Sequence, residues 1–232
     1  MIDNLSIVIM AFDEEDNLPV QVERTVAFLS GAMRDWQIVI VDDGSRDRTG
    51  DVADQWAARY PGHIDVVHHG TNRGMGVAIR NGYAAARCDW VTQLPADCQV
   101  DPRVFTRFFA HVPGVDIVLS VYRERDDGLK RAVMSKTFQL LVRALIGQRG
   151  DFTGTMLFRR DLLDRVGTLH SDSFFVNLEF PIRALRTGAT HALVEIEAQP
   201  RLHGRSKVAN FRRIQLVVRE AVAMRRRERL RR

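Results

Sequence analysis

Residues 38–49 read Ile-Val-Ile-Val-Asp-Asp-Gly-Ser-Arg-Asp-Arg-Thr. The apolar run has the length of a buried parallel strand, ending at Val41. Asp42 and Asp43 follow it, at the end of the strand where open α/β sheets bind their ligands. Two adjacent carboxylates in that place could hold a ribose, a base edge or a metal-bound diphosphate. Gly44 permits a tight turn, and Ser45, Asp47 or Thr49 can cap the helix that comes next.

The elements that must position these acids alternate between strand and helix, which predicts an α/β architecture in a single domain. Strands are expected at Leu5 to Met10, Gln37 to Val41, Ile64 to His68, Trp90 to Leu94, Ile117 to Ser120, Thr155 to Phe158 and His191 to Ala198. The acidic turn Asp13-Glu14-Glu15-Asp16 opens a helix to about Ser30, and its charge suits a helix N-terminus. Further helices are expected from Thr49 to Tyr60, from the turn Asn72-Arg73-Gly74-Met75-Gly76 to Ala86, and from Pro102 to Ala110. Pro61-Gly62 breaks the first of these. Ala132, Val133, Phe138, Leu141, Val142 and Leu145 recur at helical spacing over Leu129 to Ile146. Arg131 and Ser135 lie one turn apart on that helix and share a face. Shorter helices are expected at Asp161 to Val166 and Asn177 to Thr187, and a C-terminal helix from Asn210.

The chain has 232 residues, enough for one complete core, with 45% apolar and 27% charged residues. Cys88 and Cys98 have neither metal-ligand spacing nor a disulfide framework, so a reducing, cytoplasmic compartment is expected. No signal peptide is expected, because the first strand begins almost at once. No apolar run reaches the roughly 18 residues that span a bilayer. The net charge of +5 is uneven, with six arginines among residues 225–232. That run is either a solvated helix end or a dock for anionic lipid. Nucleic acid is not expected, since no binding motif or interleaved aromatic accompanies the charge.

Three motifs in the first half resemble glycosyltransferase family 2. Ala11-Phe12-Asp13-Glu14-Glu15-Asp16-Asn17-Leu18 is similar to that family's Tyr-Asn-Glu-x-x-Asn-Leu opening. Residues 38–49 resemble its Val-Asp-Asp-Gly-Ser-x-Asp-x-Thr segment, and residues 72–82 its Asn-x-Gly-x-Gly-x-Ala-x-x-x-Gly segment. In the second half, Arg131-x-x-x-Ser135, Asp151 to Arg160 and Arg201 to Lys207 resemble the dolichol- or polyprenyl-phosphate mannose and glucose synthases. The resemblance implies a GT-A fold: a Rossmann-like, mostly parallel sheet flanked by helices. It also implies a nucleotide-diphosphate sugar donor, of GDP-mannose or UDP-glucose type, and Mg²⁺ or Mn²⁺. Residues 1–210 would form the catalytic domain and residues 211–232 a basic helix or tail.

Carried over residue by residue, the resemblance places the donor against Asp13, Glu15, Asp42, Asp43, Arg73, Gly74, Gly76, Ala96 and Asp97. Asp97 would hold the metal, with Gln99 offering a carbonyl oxygen on the same face of an extended segment. The family's Asp-x-Asp is Pro95-Ala96-Asp97 here. Losing the first carboxylate weakens metal binding, shifts it onto the diphosphate, or removes it. Arg123, Arg131, Ser135, Arg201 and Lys207 are the candidate contacts of an acceptor phosphate, arginine by its fork and lysine by its point charge. Glu179 would face the sugar, completing a catalytic set with Asp97 and Arg131.

The implied reaction is an inverting displacement at the anomeric carbon by a polyprenyl-phosphate oxygen. Phosphate is already ionised, so no strong base is needed. A hydroxyl acceptor on a glycan or small molecule would need one, and Glu179 or Asp151 would then serve. A nucleotide-sugar binding protein that has lost catalysis is the third alternative, suggested by Pro95. The lipid acceptor would keep the protein on the membrane surface, at its cytoplasmic face.

Overall fold

The structure, a computed structural model, describes residues 2–122, 154–197, 199 and 211–229. The helix expected over Leu129 to Ile146 lies outside the described residues, as do Arg123, Arg131, Ser135, Asp151, Arg201 and Lys207. Strands β1 (Asn4–Ala11), β2 (Asp35–Asp42), β3 (Ile64–His68), β4 (Trp90–Pro95), β5 (Ile117–Tyr122), β6 (Met156–Arg159) and β7 (His191–Ile196) form one sheet. Its order is β3-β2-β1-β4-β6-β5-β7. β6 runs antiparallel to both β4 and β5, while the other pairs are parallel. This is the expected mostly parallel α/β sheet.

Helices α1 (Leu18–Ala32), α2 (Thr49–Arg59), α3 (Met75–Ala85), α4 (Phe105–Phe109), α5 (Asp161–Val166), α6 (Val176–Arg186) and α7 (Phe211–Arg229) flank the sheet. Successive strand residues face opposite sides, so both sides need apolar cover. Leu5, Ile7, Ile9, Ile38, Ile40 and Leu94 pack with Leu18 and Leu29 of α1 and with Phe105 and Phe108 of α4. Val8, Val39, Val41 and Val91 pack on the other side with Ile79 and Tyr83 of α3 and Phe180 of α6. Each such fully buried side chain stabilises the fold by about 1.5–3 kcal/mol. A third cluster joins Phe175, Leu178 and Ile182 to Val217, Ala221 and Met224, which fixes α7 on α6.

The helix expected from Pro102 to Ala110 is a 3₁₀ turn at Pro102–Val104 followed by the short α4. The Asp101 carboxylate accepts the Arg103 amide, which starts the chain as a tight turn before α geometry takes over.

Candidate donor site at the carboxyl edge of the sheet

β1 lies between β2 and β4, so the chain changes direction across the sheet on either side of it. That switch point leaves a crevice at the carboxyl ends of the strands. The register sets Ala11 beside Asp42 and Met10 beside Pro95. Two further backbone bonds extend this contact, from Asp43 N to Ala11 O at 2.9 Å and from Ala96 N to Met10 O at 3.1 Å. Asp13, Glu15, Asp42, Asp43, Ala96, Asp97 and Gln99 therefore leave neighbouring strands at one edge, as the sequence leads one to expect.

The acids there first organise their own loops. Asp42 is 7% exposed, and its Oδ1 accepts the Ser45 amide at 3.0 Å. Asp43 is 5% exposed, and its carboxylate accepts the amides of Arg73 at 2.9 Å and Gly74 at 3.0 Å. Its Oδ1 also lies 2.7 Å from Nδ1 of the buried His69. Asn81 Nδ2, which can only donate, lies 2.9 Å from His69 Nε2, so the His69 proton sits on Nδ1 and points at Asp43. Asp43 thus fastens the turn before α3 to the end of β2. Gly44, at φ +72°, passes so close to Thr71 that a Cβ would lie 2.3 Å from its carbonyl carbon. Glycine is the residue that fits both constraints.

The loop after β1 is bonded to the loop after β2. Asp13, at φ +50°, donates its amide to Ser45 Oγ and accepts the Arg46 amide on Oδ1. Glu15 Oε2 accepts the Arg48 amide and Nε, both at 3.2 Å. Asp47 accepts the Thr49 amide and hydroxyl and the Glu15 amide. Burial works to raise the Asp47 carboxyl, but these donors outweigh it and hold it below the usual carboxylate range.

Asp97 sits at the far side of the crevice and is 9% exposed. Here the structure corrects one expectation. Residues 97–99 are not extended, because Cys98 adopts φ +60° and Asp97 Oδ1 accepts the Gln99 amide at 3.1 Å. The Gln99 side-chain amide donates instead to Gln199 O at 3.4 Å, and Gln199 N returns a bond to Gln99 O at 2.8 Å. Pro95 fills the last position of β4, where the family has an acid. Among the described residues no group of three His, Cys, Asp or Glu side chains could hold a metal ion. Asp97 offers one carboxylate, which suits a hard cation that takes its other ligands from water and phosphate oxygens.

The glycine-rich turn carries an exposed Arg73. The backbone that Gly74 and Gly76 admit is the chain's own. A Cβ on Gly76 would lie 2.3 Å from Ser171 O, and one on Gly74 2.8 Å from Asp172 O. Glu179 likewise departs from expectation. It is 1% exposed and accepts the His170 and Ser171 amides, the Ser171 hydroxyl and the Arg183 guanidinium. Its carboxylate is taken up by residues 170–171 and Arg183. The partners His69, Asn81, Ser171 and Asp172 were missed by sequence reasoning. So was the buried chain in which Tyr83 donates to Gln93 and Gln93 to Asn177.

His68, at the end of β3, is 43% exposed and lies between two carboxylates. Asp42 Oδ2 is 3.3 Å from Nδ1, and Asp54 Oδ1 is 3.0 Å from Nε2. Only the imidazolium donates to both. The Asp54 bond, with help from Asp42 and against partial burial, raises the His68 pKa. Its contribution to stability is complete below the unfolded value of about 6.5 and is lost as pH rises through the higher folded value. The melting temperature of His68→Asn is therefore expected to converge on that of the parent as pH rises above about 6.5. A gap that stays constant over that rise would contradict a charged His68.

The family model for glycosyl transferase family 2 matches residues 6–167. Over 219 residues the chain is 32% identical to the undecaprenyl-phosphate 4-deoxy-4-formamido-L-arabinose transferase of Pectobacterium atrosepticum. That match covers 93% of this chain and 66% of the relative, so the chain spans just under two thirds of the relative's length. Among solved structures it is similar to mannosyl-3-phosphoglycerate synthase from Rubrobacter xylanophilus, with TM-score 0.71, 22% identity, and coverage of 98% of this chain and 74% of that one. It is also similar to glucosyl-3-phosphoglycerate synthase from Mycobacterium tuberculosis, solved in complex with Mn²⁺, UDP and glucosyl-3-phosphoglycerate. There the TM-score is 0.67 at 20% identity, covering 96% of this chain and 78% of that one.

Proposed function

Because this chain belongs to glycosyl transferase family 2, we propose that it moves a sugar from a nucleoside-diphosphate donor to the phosphate of a polyprenyl lipid. The observation that carries the proposal is that Asp42 and Asp43 on one side and Asp97 on the other follow the two strands flanking β1, at the same switch-point edge. The lipid acceptor is supported by the name of the relative that shares 32% identity over 93% of this chain. The donor is of GDP-mannose or UDP-glucose type, with the nucleoside lying against Asp13, Glu15, Asp42 and Asp43.

In the proposed reaction a phosphate oxygen of the lipid attacks the anomeric carbon from the face opposite the diphosphate. The bond to the diphosphate breaks with its electron pair, and the configuration inverts. The attacking oxygen is already anionic, so the chain's task is alignment and charge, not proton removal. Asp97 is the residue that would hold Mg²⁺ or Mn²⁺, which when bound neutralises charge on the leaving diphosphate. Arg73, exposed on the turn before α3, adds positive charge on the same side. Arg123, Arg131, Ser135, Arg201 and Lys207 bind the acceptor phosphate. Glu179 enters as a positioning residue beneath residues 170–171.

No helix among the described residues is long and apolar enough to cross a membrane. In this reading α7 (Phe211–Arg229) and the basic residues that follow it dock the catalytic residues 1–210 on the membrane surface. Arg225, Arg226 and Arg227 are exposed on α7, and each contributes about 1 kcal/mol of attraction to an anionic surface. That surface is the cytoplasmic face of the membrane, where the polyprenyl phosphate presents its headgroup.

The test is a panel of radiolabelled nucleotide sugars, with and without undecaprenyl phosphate and Mn²⁺. Label that moves into organic solvent, with the mass of a lipid-phosphate sugar, is the expected outcome. Label that leaves the donor but stays in water as a glycoside would replace the lipid with a hydroxyl acceptor.

A further inference from the structure

Residues 170–173 form a short bridge whose two sides are held by different parts of the chain. Its amides face two glutamates. His170 and Ser171 donate to Glu179 of α6, with Ser171 N at 2.9 Å. Asp172 N donates to Glu220 Oε1 of α7 at 3.0 Å, and Ser173 Oγ donates to Glu220 Oε2. Its carbonyls face the glycine-rich turn and α3. Asp172 O accepts the Gly76 amide at 3.0 Å, and Ser171 O accepts the Arg80 guanidinium. Arg80 also pairs with Asp172 Oδ1 at 2.7 Å. Gly74 and Gly76 are small because this bridge lies against them.

We infer that Glu220 is a positioning residue for the donor site: from the C-terminal helix it fixes Asp172 and Ser173, on which the turn carrying Arg73, Gly74 and Gly76 is seated. The inference rests on the donor assignment proposed above. Glu220 has a fixed place because its neighbours on α7 are buried. Val217, Ala221 and Met224 pack on Phe175, Leu178 and Ile182, which delivers the carboxylate to the bridge. The opposite side of the same turn is held by Asp43, through the amides of Arg73 and Gly74. The turn is therefore set from β2 on one side and from the last helix on the other. Removing either anchor lets it shift, and a displacement of about 1 Å in a positioning group can cost up to 10²-fold in function.

The experiment measures binding of UDP and of GDP, each with Mn²⁺, to the full chain by calorimetry, with melting temperature recorded beside it. Glu220→Ala is expected to weaken nucleotide binding about tenfold. Glu220→Gln should stay within about threefold of the parent, because its amide oxygen accepts Asp172 N and its amide nitrogen donates to Ser173 Oγ. Ser173→Ala removes the bond to Glu220 Oε2, together with the acceptor of the Phe175 amide, and should weaken binding by about three- to tenfold whether or not Glu220→Ala folds. Parental affinity in Glu220→Ala, or equal losses in Glu220→Ala and Glu220→Gln, would overturn the positioning role. A parent chain that binds neither nucleotide would overturn the donor assignment first, and this role with it.

Discussion

Asp97→Asn is expected to lower sugar transfer by about 10²–10³-fold while leaving the melting temperature nearly unchanged. The asymmetry follows from the two tasks of the side chain. As a turn acceptor, Asp97 Oδ1 takes the Gln99 amide across a Cys98 held at φ +60°. The amide oxygen of asparagine can do the same. As a charge, Asp97 is the one acid left in the motif that follows β4, because Pro95 occupies the place of the family's first acid. No neighbouring carboxylate in that motif can replace it, so removing the charge removes the motif's whole contribution to holding a cation on the diphosphate. Asp97→Ala should lose activity to the same extent and also lose the turn bond, typically about 0.5–1.5 kcal/mol. Initial rates with Mn²⁺, taken with thermal denaturation of both variants, check the pair. Parental rates in Asp97→Asn would show that this acid serves the turn alone.

Asp43→Ala is expected to destabilise the fold by about 3–5 kcal/mol and to abolish nucleotide binding. The carboxylate is 5% exposed and receives the Arg73 and Gly74 amides together with Nδ1 of His69. Alanine would take the acceptor from the buried His69 imidazole and from the part-buried Arg73 and Gly74 amides, and an orphaned donor costs about 1–3 kcal/mol where water does not reach it. The turn from 70 to 74 would then lose its anchor on β2. Chemical denaturation measures the first effect and nucleotide titration the second. His69→Asn should show a milder form of both, since it removes one donor and leaves the two amides paired. A loss below about 1 kcal/mol in Asp43→Ala would mean that the loop is held from elsewhere.

The acids of this edge were readable from the sequence, but their partners were not. Asp42 and Asp43 announce themselves because an apolar run stops at Val41 and a glycine follows. A strand end needs only local pattern to be recognised. His69 lies 26 residues from Asp43, and its contact exists only because β3 lies parallel to β2. Nothing in the run Val67-His68-His69-Gly70 shows which imidazole turns inward. The resemblance sets Glu179 at the sugar, but an acid on a helix looks the same in sequence whether or not it also meets loop amides. Only the tertiary arrangement brings it beneath His170 and Ser171. The extended path expected for residues 97–99 failed on Cys98. Cysteine carries no preference for the left-handed region, so the turn had no local signal. The apolar run of β6 marks it as a strand, but its reversed direction shows only in its pairing with β4 and β5.

The most direct measurement is a crystal structure of the full chain grown with Mn²⁺ and a nucleoside diphosphate, UDP in one case and GDP in another. The nucleotide should lie across the carboxyl ends of β1, β2 and β4, with its base and ribose toward the loops at 13–15 and 42–45. Its diphosphate should reach Asp97 through the cation. A nucleotide seated elsewhere, or one whose cation makes no contact with Asp97, would contradict the proposed donor site and the transfer chemistry built on it.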